Sequence, residues 1–443
     1  MRNIKKISLS LLLVIPVASF AFSAGSGTKE DPYQIRNCPE LQNIIGFPND
    51  HFLVIDNINC NLWDYGDGGG FMPIGSSASP FTGTFDGNNF KISYITINRH
   101  LQDHVGIFGV TQGVTQSAEI TNVNLDNINI IGKSYVGTLV GRAKSGTKIS
   151  NVNASASEVN ADSSHVGGLV GRLEGASVAR NTIQNASVDV TVKSSNAEVG
   201  GIVGSVVYSD ISNSHTLGTV SGSTRVGGII GRFEYSSTLS NSFAEGFVSG
   251  NSYIGGLVGG AGSSAQITNS YATGNVVATS GEAGGLLGSG NIQIENCYAT
   301  GDVESLTTSQ SISAGGLVGN FNGAGVIKNS YATGDVINNI GVAGGFVGWI
   351  QDSASVRNSY SVGKVSGTNS WSIGGFVGAR RDSALDISSY WDTIASGQTS
   401  SVAGIPKTTG EMYQQATYVD WDFANTWEIN QGFDYPRLQW EKK

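Results

Sequence analysis

The clearest repeat unit of this chain reads Ile254-Gly255-Gly256-Leu257-Val258-Gly259 and then, after a short gap, Ile267-Thr268-Asn269-Ser270-Tyr271-Ala272-Thr273-Gly274. The glycine that closes its first half recurs at intervals of 27 to 33 residues. The recurring positions are Gly109, Gly141, Gly171, Gly204, Gly231, Gly259, Gly288, Gly319, Gly348 and Gly378. A period near 30 is typical of a solenoid or a propeller, in which neighbouring units complete one another's core.

The second half of each unit carries an asparagine, which in most units follows an aliphatic residue by two positions. These asparagines are Asn122, Asn151, Asn181, Asn213, Asn241, Asn269, Asn296, Asn329 and Asn358. Each unit thus holds three short β-rich runs, and none shows a helical period. A propeller blade needs about 40 or more residues, so an all-β parallel solenoid (a β-helix) with one coil per repeat fits better. Ten coils of ~4.8 Å each predict a rod of roughly 50 Å.

Stacking of like residues on like explains the composition of the unit. Glycines fit where the coil turns sharply or where layers approach closely. Asparagine amides can bond to the amides above and below them and so satisfy polar groups inside a turn. We therefore interpret the recurring glycines and asparagines as scaffold residues rather than as ligand contacts.

The two halves of the unit together resemble the GLUG motif of bacterial exported and surface proteins. Residues 167–171, 255–259 and 315–319 carry its Gly-Gly-Leu-Val-Gly half, and the flanks at 27–33, 81–89 and 390–392 resemble those of the same family. The resemblance implies a right-handed coil, which is also the default for parallel crossovers, and surface or extracellular interaction. The motif also accompanies IgA-specific metallopeptidases and large adhesins. The chemistry of those peptidases belongs to a separate zinc domain, and no His-Glu-x-x-His occurs here.

The order of the chain predicts four segments. Residues 1–24 are typical of a signal peptide, with basic Arg2, Lys5 and Lys6, an apolar run over 7–17 and a cleavage site after Ala21 or Ser23. Residues 25–100 are expected to cap one end of a solenoid formed by 101–388, because open sheet edges would template aggregation. The aromatic-rich residues 389–443 are expected to cap the other end. The mature protein is then secreted or at the cell surface, without a membrane span.

Charge and cysteine content narrow the partners and the compartment. The formal net charge is −9, and no cluster of Lys and Arg follows the N-terminus, so nucleic acid is not an expected partner. Cys38 and Cys60 are predicted to form a disulfide in an exported protein. Cys297 lies where neighbouring units have Ser270 and Ser330, which favours a small side chain in a ladder over a reactive thiol.

Residues that could carry chemistry are few. Asp302 and Asp335 occupy equivalent repeat positions, and polysaccharide-acting enzymes use paired carboxylates, but Asn275 and Lys364 continue that row and favour a solvated face. The histidines lack metal-ligand spacing. The loop at residues 64–69 lacks the full alternation of oxygen ligands that calcium requires. We therefore assign no catalytic residue, metal site or cofactor.

An aromatic row is the most suggestive candidate for ligand contact. Its members are Phe243, Tyr271, Tyr298, Tyr331 and Tyr360, with Trp391 expected in register at the end. If the row faces inward it is core, and if it faces outward it forms a flat stripe that could stack on sugar rings or on a partner surface. Strict alternation puts Tyr271 on the side of Ile267, but a turn at Asn269 would break that parity, so both interpretations stay open.

The sequence therefore predicts an exported, monomeric binding or adhesion protein rather than an enzyme. A repeated weak site on a rigid rod would gain avidity toward an extracellular glycan or a host or cell-surface protein. One alternative is a polysaccharide-acting β-helix enzyme, a lyase or hydrolase, which a cleft holding two close carboxylates would favour. Another alternative is a passive structural spacer.

Overall fold

A computed structural model of the chain describes residues 22–113, 117–368, 372–381 and 384–442. They form an all-β parallel solenoid of about eleven turns, which confirms the predicted fold class. The predicted signal peptide lies outside the described residues, apart from its positions 22–24. Within the described ranges, no helix has the length and apolar character needed to cross a membrane.

A regular coil contains five short strands that belong to three parallel sheets. In the unit quoted first these strands are Ser252–Gly255, Val258–Ala261, Gln266–Thr268, Tyr271–Ala272 and Val276–Ala278. Each pairs in parallel with its equivalent in the next coil, so that Val258 lies beside Leu287 and Ile267 beside Ile294. The hydrogen bonds of one coil are therefore completed by its neighbours, as in other solenoids.

The strands are grouped by sheet. The eight-stranded sheet contains Val166–Gly167, Val199–Gly200, Thr224–Gly227, Ser252–Gly255, Ala283–Gly284, Ser313–Gly315, Val342–Gly344 and Ser372–Gly374. The ten-stranded sheet contains Phe108–Thr111, Val140–Lys144, Val170–Glu174, Val203–Val207, Ile230–Glu234, Val258–Ala261, Leu287–Gly290, Val318–Phe321, Val347–Ile350 and Val377–Arg380.

The third, 31-stranded sheet, called the long sheet below, is built from three rows of strands. The first row contains Tyr33–Ile35, His51–Val54, Thr84–Asp86, Ala118–Asp126, Thr147–Ala161, Asn181–Ser194, Ser209–Ser212, Thr238–Ser240, Gln266–Thr268, Gln293–Glu295, Val326–Lys328, Ser355–Arg357 and Leu385–Ile387. The second row adds Ile58–Asn59, Lys91–Ser93, His215–Thr216, Phe243–Ala244, Tyr271–Ala272, Tyr298–Ala299, Tyr331–Ala332, Tyr360–Ser361, Tyr390–Asp392 and Ile405–Lys407. The third row adds Thr96–Arg99, Asn129–Gly132, Val220–Ser221, Val248–Gly250, Val276–Ala278, Val303–Ser305, Val336–Asn338 and Val365–Ser366.

The interior is narrow and is filled by rows of apolar side chains. The row of Leu257 is fully buried and consists of Leu139, Leu169, Ile202, Ile229, Leu257, Leu286, Leu317, Phe346 and Phe376. Across the interior, Gly256 faces Ala272. A Cβ atom on Gly256 would lie 2.9 Å from the Cβ atom of Ala272 and 2.1 Å from the carbonyl oxygen of Gly285. Glycine at this position thus permits the close approach of the two walls.

In each regular coil the chain turns at one residue with a left-handed backbone conformation, which is usually an asparagine. We call this position the asparagine corner. At Asn269 φ is 47°, and its side chain donates to Asn241 Oδ1 at 3.3 Å and accepts from Asn296 at 3.2 Å. The left-handed asparagines at this corner are Asn122, Asn151, Asn185, Asn213, Asn241, Asn269, Asn296, Asn329 and Asn358. The prediction for Asn181 is wrong, because this residue is buried at the start of a strand and its side chain bonds to Thr147 and Ala143.

The predicted N-terminal cap region already contributes stacked coils. Tyr33–Ile35 pairs with His51–Val54, and that strand pairs with Thr84–Asp86, which pairs with Ala118–Asp126. The stacking therefore begins before residue 101. Helix α1, Cys38–Asn43, and the 3₁₀ turn Ile44–Gly46 follow the first strand, and the ring of Phe22 stacks on Tyr33 with centroids 4.4 Å apart.

The predicted disulfide between Cys38 and Cys60 is present, which confirms the pairing. It closes a loop with a sequence separation of 22. Replacing both cysteines with serine is expected to lower the free energy of unfolding by about 3 kcal/mol, because the unfolded chain regains loop entropy. Urea titration measures this change.

Cys297→Ser provides the matched control for that experiment. The Cys297 thiol is buried and donates to the carbonyl of Glu295 at 3.2 Å, as Ser270 donates to Thr268 at 2.7 Å one coil earlier. Burial raises the pKa of the Cys297 thiol to about 12, so it stays protonated. Serine should be tolerated there, and a double variant as stable as the wild type would contradict the role of the disulfide.

The C-terminal residues divide into an end cover and a lateral segment. At the end, Ser401 Oγ accepts from Phe376 and Val377 amides at 3.2 and 2.9 Å, and Gly375 donates to Ser400. Residues 409–442, called the C-terminal segment below, instead pack along the side of the long sheet. The segment contains helix α2, Thr409–Met412, the 3₁₀ turns Gln415–Thr417 and Gln439–Lys442, and the antiparallel pair Trp427–Glu428 and Arg437–Leu438. The structure thus differs from the predicted cap, whose aromatic residues were expected to close the end.

Candidate functional site: the ring ladder and its cleft

The predicted aromatic row forms a stack of parallel rings, called the ring ladder below. Ring centroids of Phe243, Tyr271, Tyr298, Tyr331 and Tyr360 are 4.7 to 5.1 Å apart, with interplanar angles of 3° to 9°. The stack begins one coil earlier, because His215 lies on Phe243 at 4.6 Å. The sequence signal for His215 was its place in Asn213-Ser214-His215, which matches Asn269-Ser270-Tyr271.

The ring ladder points outward from the solenoid. The left-handed Asn269 breaks the alternation between Ile267 and Tyr271, so that Ala272, not Tyr271, faces Gly256 across the interior. Tyr331 and Tyr360 belong to a second apolar cluster, separate from the solenoid core, that contains residues of the C-terminal segment. The outward interpretation of the row is therefore the one that the structure shows.

The predicted place of Trp391 in this row is wrong. Tyr360 pairs in register with Tyr390, and Trp391 pairs with Ser361 in the inward row. In this coil the corner residue is Ser388, with φ of 49°. The ladder residue lies two positions after the corner, which in this coil is Tyr390. Trp391 is fully buried in the interior, where its ring lies over Gly375. Tyr390 thus takes the position after Tyr360 in the row.

Stacking within the ladder changes what the row can offer to a ligand. Each inner ring has neighbours on both faces at about van der Waals distance, so the ring faces are occupied. The outer surface presents ring edges and phenol hydroxyls instead of flat ring faces. Because stacking of a sugar needs an open ring face, the inner rings offer a ligand their edges rather than their faces.

The C-terminal segment covers the later rungs of the ladder. Trp427 lies 6.4 Å from Tyr331 and 6.1 Å from Tyr360 between ring centroids, and Tyr360 donates its hydroxyl to the Pro436 carbonyl at 2.7 Å. Tyr331 and Tyr360 are buried. The earlier rungs His215, Phe243 and Tyr271 stay partly exposed, beside Leu217 and Phe247, which are 45% and 44% exposed.

A cleft of about 330 Å³ lies between the ladder and the C-terminal segment. We call it the ladder cleft. On the solenoid side it is lined by Thr273, Thr300 and Thr333 and by the ladder tyrosines 298, 331 and 360. On the segment side it is lined by Asp434, Tyr435, Arg437 and Glu441. The cleft thus combines hydroxyl groups spaced one coil apart with a cation and two carboxylates.

The charged groups of the ladder cleft are held by specific contacts. Arg437 donates a hydrogen bond to the Asp434 carboxylate at 2.6 Å. The negative charge of Asp434 raises the pKa of Arg437. Glu441 accepts the Tyr331 hydroxyl at 3.1 Å and the Leu438 amide at 2.8 Å. Burial raises the pKa of Glu441, and burial together with the Glu441 charge raises that of Tyr331.

The other carboxylates singled out in the sequence have contacts within the fold. Asp302 accepts the amide of Asp335 at 2.9 Å, and Asp335 accepts that of Lys364 at 2.9 Å, so this row links successive coils. In the loop at 64–69, Asp64 accepts backbone amides of its own turn. Asp67 pairs with Arg99 at 2.8 Å, which lowers the pKa of Asp67.

A second outward row, called the corner ladder below, was not predicted. Its members are His104, Tyr135, His165, Glu198, Arg225 and Tyr253, all with positive φ. Ring centroids are 4.8 Å apart from His104 to Tyr135 and 4.6 Å from Tyr135 to His165. His165 lies 2.8 Å from Glu198, which lies 3.9 Å from Arg225, whose guanidinium is 5.9 Å from the Tyr253 ring. The residue types differ from coil to coil, so residue identity does not reveal this row in the sequence. Its sequence signal is that each member directly precedes the first aliphatic residue of its unit.

Glu198 is the buried centre of the corner ladder. Arg232, on the ten-stranded sheet, donates to it at 3.1 Å. Burial opposes ionisation of Glu198, but the hydrogen bonds and charges of His165 and Arg232 outweigh it and lower its pKa to about 2. Burial, with the charge of Arg142, lowers the pKa of His104. In the part of the chain that the structure describes, no group of three His, Cys, Asp or Glu side chains is placed to hold a metal ion.

Comparison with known proteins identifies the repeat. A model of the GLUG motif matches residues 250–277, 279–304 and 310–337. Halomucin of Haloquadratum walsbyi is 34% identical over 36% of this chain and 2% of that protein. A protein of Evansella cellulosilytica named as a Gly-rich membrane protein is 33% identical over 28% of this chain and 14% of its own length. An immunoglobulin A1 protease of Streptococcus pneumoniae is 28% identical over 29% of this chain and 7% of its own length.

These matches cover only a small part of each relative, between 2% and 14% of its length. A solved structure from Bacteroides ovatus aligns over 95% of both chains at 19% identity, with a TM-score of 0.38. The three matched segments are consecutive coils of the solenoid, as the resemblance of the repeat unit predicted. The chain is a β-solenoid that carries GLUG-motif repeats.

Proposed function

We propose that this chain is an exported surface protein that binds or adheres to an extracellular glycan or cell-surface protein through the ladder cleft. The observation that carries the proposal is the cleft itself, where threonine and tyrosine hydroxyls meet Asp434, Arg437 and Glu441. Binding sites in general combine a concave surface with a few convergent polar groups. Export rests on the predicted signal peptide, and the names of the relatives are compatible with a place at the cell surface.

The repeat geometry favours an extended ligand. Equivalent threonines recur one coil apart along the cleft, which is about 4.8 Å. Beside them, the partly exposed rungs His215, Phe243 and Tyr271 extend the ring ladder beyond the cleft. A chain of repeated units could therefore contact several coils at once and gain affinity from their fixed spacing. A glycan chain or an extended peptide has this form.

Filling the cleft tests the proposal. Thr300→Trp places a large side chain in the middle of the cleft and is expected to weaken binding to arrayed glycans or intact cells about tenfold or more, since ligand groups would be displaced. Thr191 is a half-exposed threonine of the long sheet outside the cleft, so Thr191→Trp is the matched control. Equal binding by both variants and the wild type would contradict the cleft as the site.

One observation also favours a second function, cleavage of a polysaccharide. The cleft holds two carboxylates, Asp434 and Glu441, and burial raises the pKa of Glu441, as in a general acid of glycoside hydrolysis. Incubation with glycans followed by measurement of new reducing ends distinguishes the two functions. Products that disappear in Glu441→Gln would support cleavage, and binding without products supports adhesion.

A further inference from the structure

A second groove lies on the ten-stranded sheet, away from the ring ladder. Along this sheet the outward positions run in register through Arg142, Arg172, Ser205, Arg232, Gly260 and Ser289. The step from Arg232 to Gly260 removes a long side chain and leaves a depression of about 230 Å³. We call it the arginine groove. Its polar and aromatic lining consists of Arg225, Arg232, Glu234, Tyr253, Ser289 and Asn322.

The two arginines of the groove have different roles. Arg232 donates to Glu198 at 3.1 Å and lies 2.8 Å from Glu234, so two carboxylates neutralise and fix it. Arg225 lies 3.9 Å from Glu198 and makes no side-chain hydrogen bond within the described ranges. Its N–H donors are therefore available to a ligand, whereas those of Arg232 largely serve the fold.

The position of Arg225 is fixed although its donors are free. Its backbone has φ of 56° at the corner, and its guanidinium lies 5.9 Å from the centre of the Tyr253 ring. Its methylene groups cover Gly260, where a Cβ atom would be 3.2 Å away. A guanidinium held in this way loses little freedom on binding, which favours two-pronged recognition of a carboxylate.

The charged side chains of this face balance one another close to the groove. Arg142, Lys144, Arg172, Arg225 and Arg232 stand on this face with the carboxylates Glu174, Glu198 and Glu234. Arg142, Lys144 and Arg172 belong to coils nearer the N-terminus, whereas at the groove Arg225 and Arg232 meet Glu198 and Glu234. Recognition of an anion therefore rests on the N–H donors of Arg225 and not on a net charge of the groove.

We propose that the arginine groove binds a carboxylate-bearing sugar unit of a glycan. Arg225 binds the carboxylate through two N–H donors, the Tyr253 ring supplies an apolar surface for the sugar, and Ser289 and Asn322 bond to its hydroxyls. The volume is below that of a typical drug-sized site and suits one sugar unit. This site is independent of the ladder cleft, which lies on the long sheet.

Titration of the full mature chain with two matched oligosaccharides tests the proposal. One ends in glucuronate and the other in glucose, so that they differ only in the carboxylate. The wild type is expected to bind the glucuronate form at least about tenfold more tightly. Arg225→Ala should lose about tenfold in that affinity, while Arg225→Lys, which keeps the charge without the planar fork, should lose less.

Two controls separate this site from folding and from the ladder cleft. Arg357→Ala removes an exposed arginine of the long sheet and should leave binding unchanged, as should Thr300→Trp, which blocks only the ladder cleft. The melting temperature of Arg225→Ala should match that of the wild type, because Arg225 makes one loose ion pair. Equal affinity for both sugars, full binding by Arg225→Ala, or tighter binding of a glutamate-rich peptide than of the glucuronate sugar would overturn the proposal.

Discussion

Trp427→Ala is expected to release the C-terminal segment from the solenoid and to cost about 3 to 5 kcal/mol of packing free energy. Trp427 is fully buried. Its ring contacts Trp421 at 4.4 Å and lies over Tyr331 and Tyr360. Removing it leaves a cavity in the centre of the cluster that joins the segment to the ring ladder, and alanine cannot fill that space.

Limited proteolysis followed by intact-mass measurement detects the release of the segment. The solenoid itself should remain folded, because each coil is completed mainly by its neighbours, and its far-ultraviolet dichroism should persist. Phe433→Ala is the control, since Phe433 is a segment residue with 77% exposure. If Trp427→Ala stays as resistant to protease as Phe433→Ala, the packing of Trp427 does not hold the segment. Release of the C-terminal segment would also open the ladder cleft and expose Tyr331 and Tyr360.

Glu198→Ala is expected to lower the free energy of unfolding by about 3 to 5 kcal/mol at neutral pH. Glu198 is buried and its carboxylate contacts His165, Arg225 and Arg232. Truncation removes hydrogen bonds and leaves the Arg232 charge with Glu234 as its remaining partner. Denaturant unfolding measures the change. Glu198→Gln keeps the shape and part of the hydrogen bonding, so its smaller loss isolates the effect of the charge.

The Glu198 carboxylate also makes the free energy of unfolding depend on pH. The pKa of Glu198 is about 2 in the folded chain, against an ordinary value of 4.5. A depressed pKa stabilises the fold fully above the unfolded value, and this contribution is lost as pH falls from about 4.5 to about 2. The titratable or charged groups that face Glu198 are His165, Arg225 and Arg232. The wild type should therefore lose more stability than Glu198→Gln over this range, and parallel pH profiles would contradict the assignment.

The repeat made the fold predictable from sequence. Because Gly256, Leu257 and Asn269 recur in equivalent places, each coil repeats the same evidence, and the interior row of Leu257 follows from it. The disulfide was predictable because Cys38 and Cys60 are the only cysteines outside the repeats. The order of the aromatic residues alone predicts the wrong row for Trp391. Counting from the corner, where Ser388 replaces asparagine, gives Tyr390.

The candidate sites depend on contacts that the repeat does not encode. The sequence alone leaves open whether the Tyr271 side chain points inward or outward, because a single left-handed residue, Asn269, reverses the alternation of inward and outward side chains. The ladder cleft needs the C-terminal segment, whose return along the solenoid puts Glu441 beside Tyr331, 110 residues away in sequence. The arginine groove depends on Gly260, which occupies a position where neighbouring coils have larger residues. In both cases a departure from the repeat forms the site.

The C-terminal segment also divides the rod mechanically. Its tryptophans touch the rings of Tyr271, Tyr298, Tyr331, Tyr360 and Tyr390, so it runs as a brace along the axis of consecutive coils. Under tension, the coils between the Cys38–Cys60 disulfide and Tyr271 can separate one at a time, because adjacent layers supply most of their contacts. Coils after Tyr271 can separate only if the C-terminal segment loses its contacts with several ladder rings at the same time. A rod built in this way has a compliant N-terminal part and a stiff C-terminal part, and the ladder cleft lies in the stiff one.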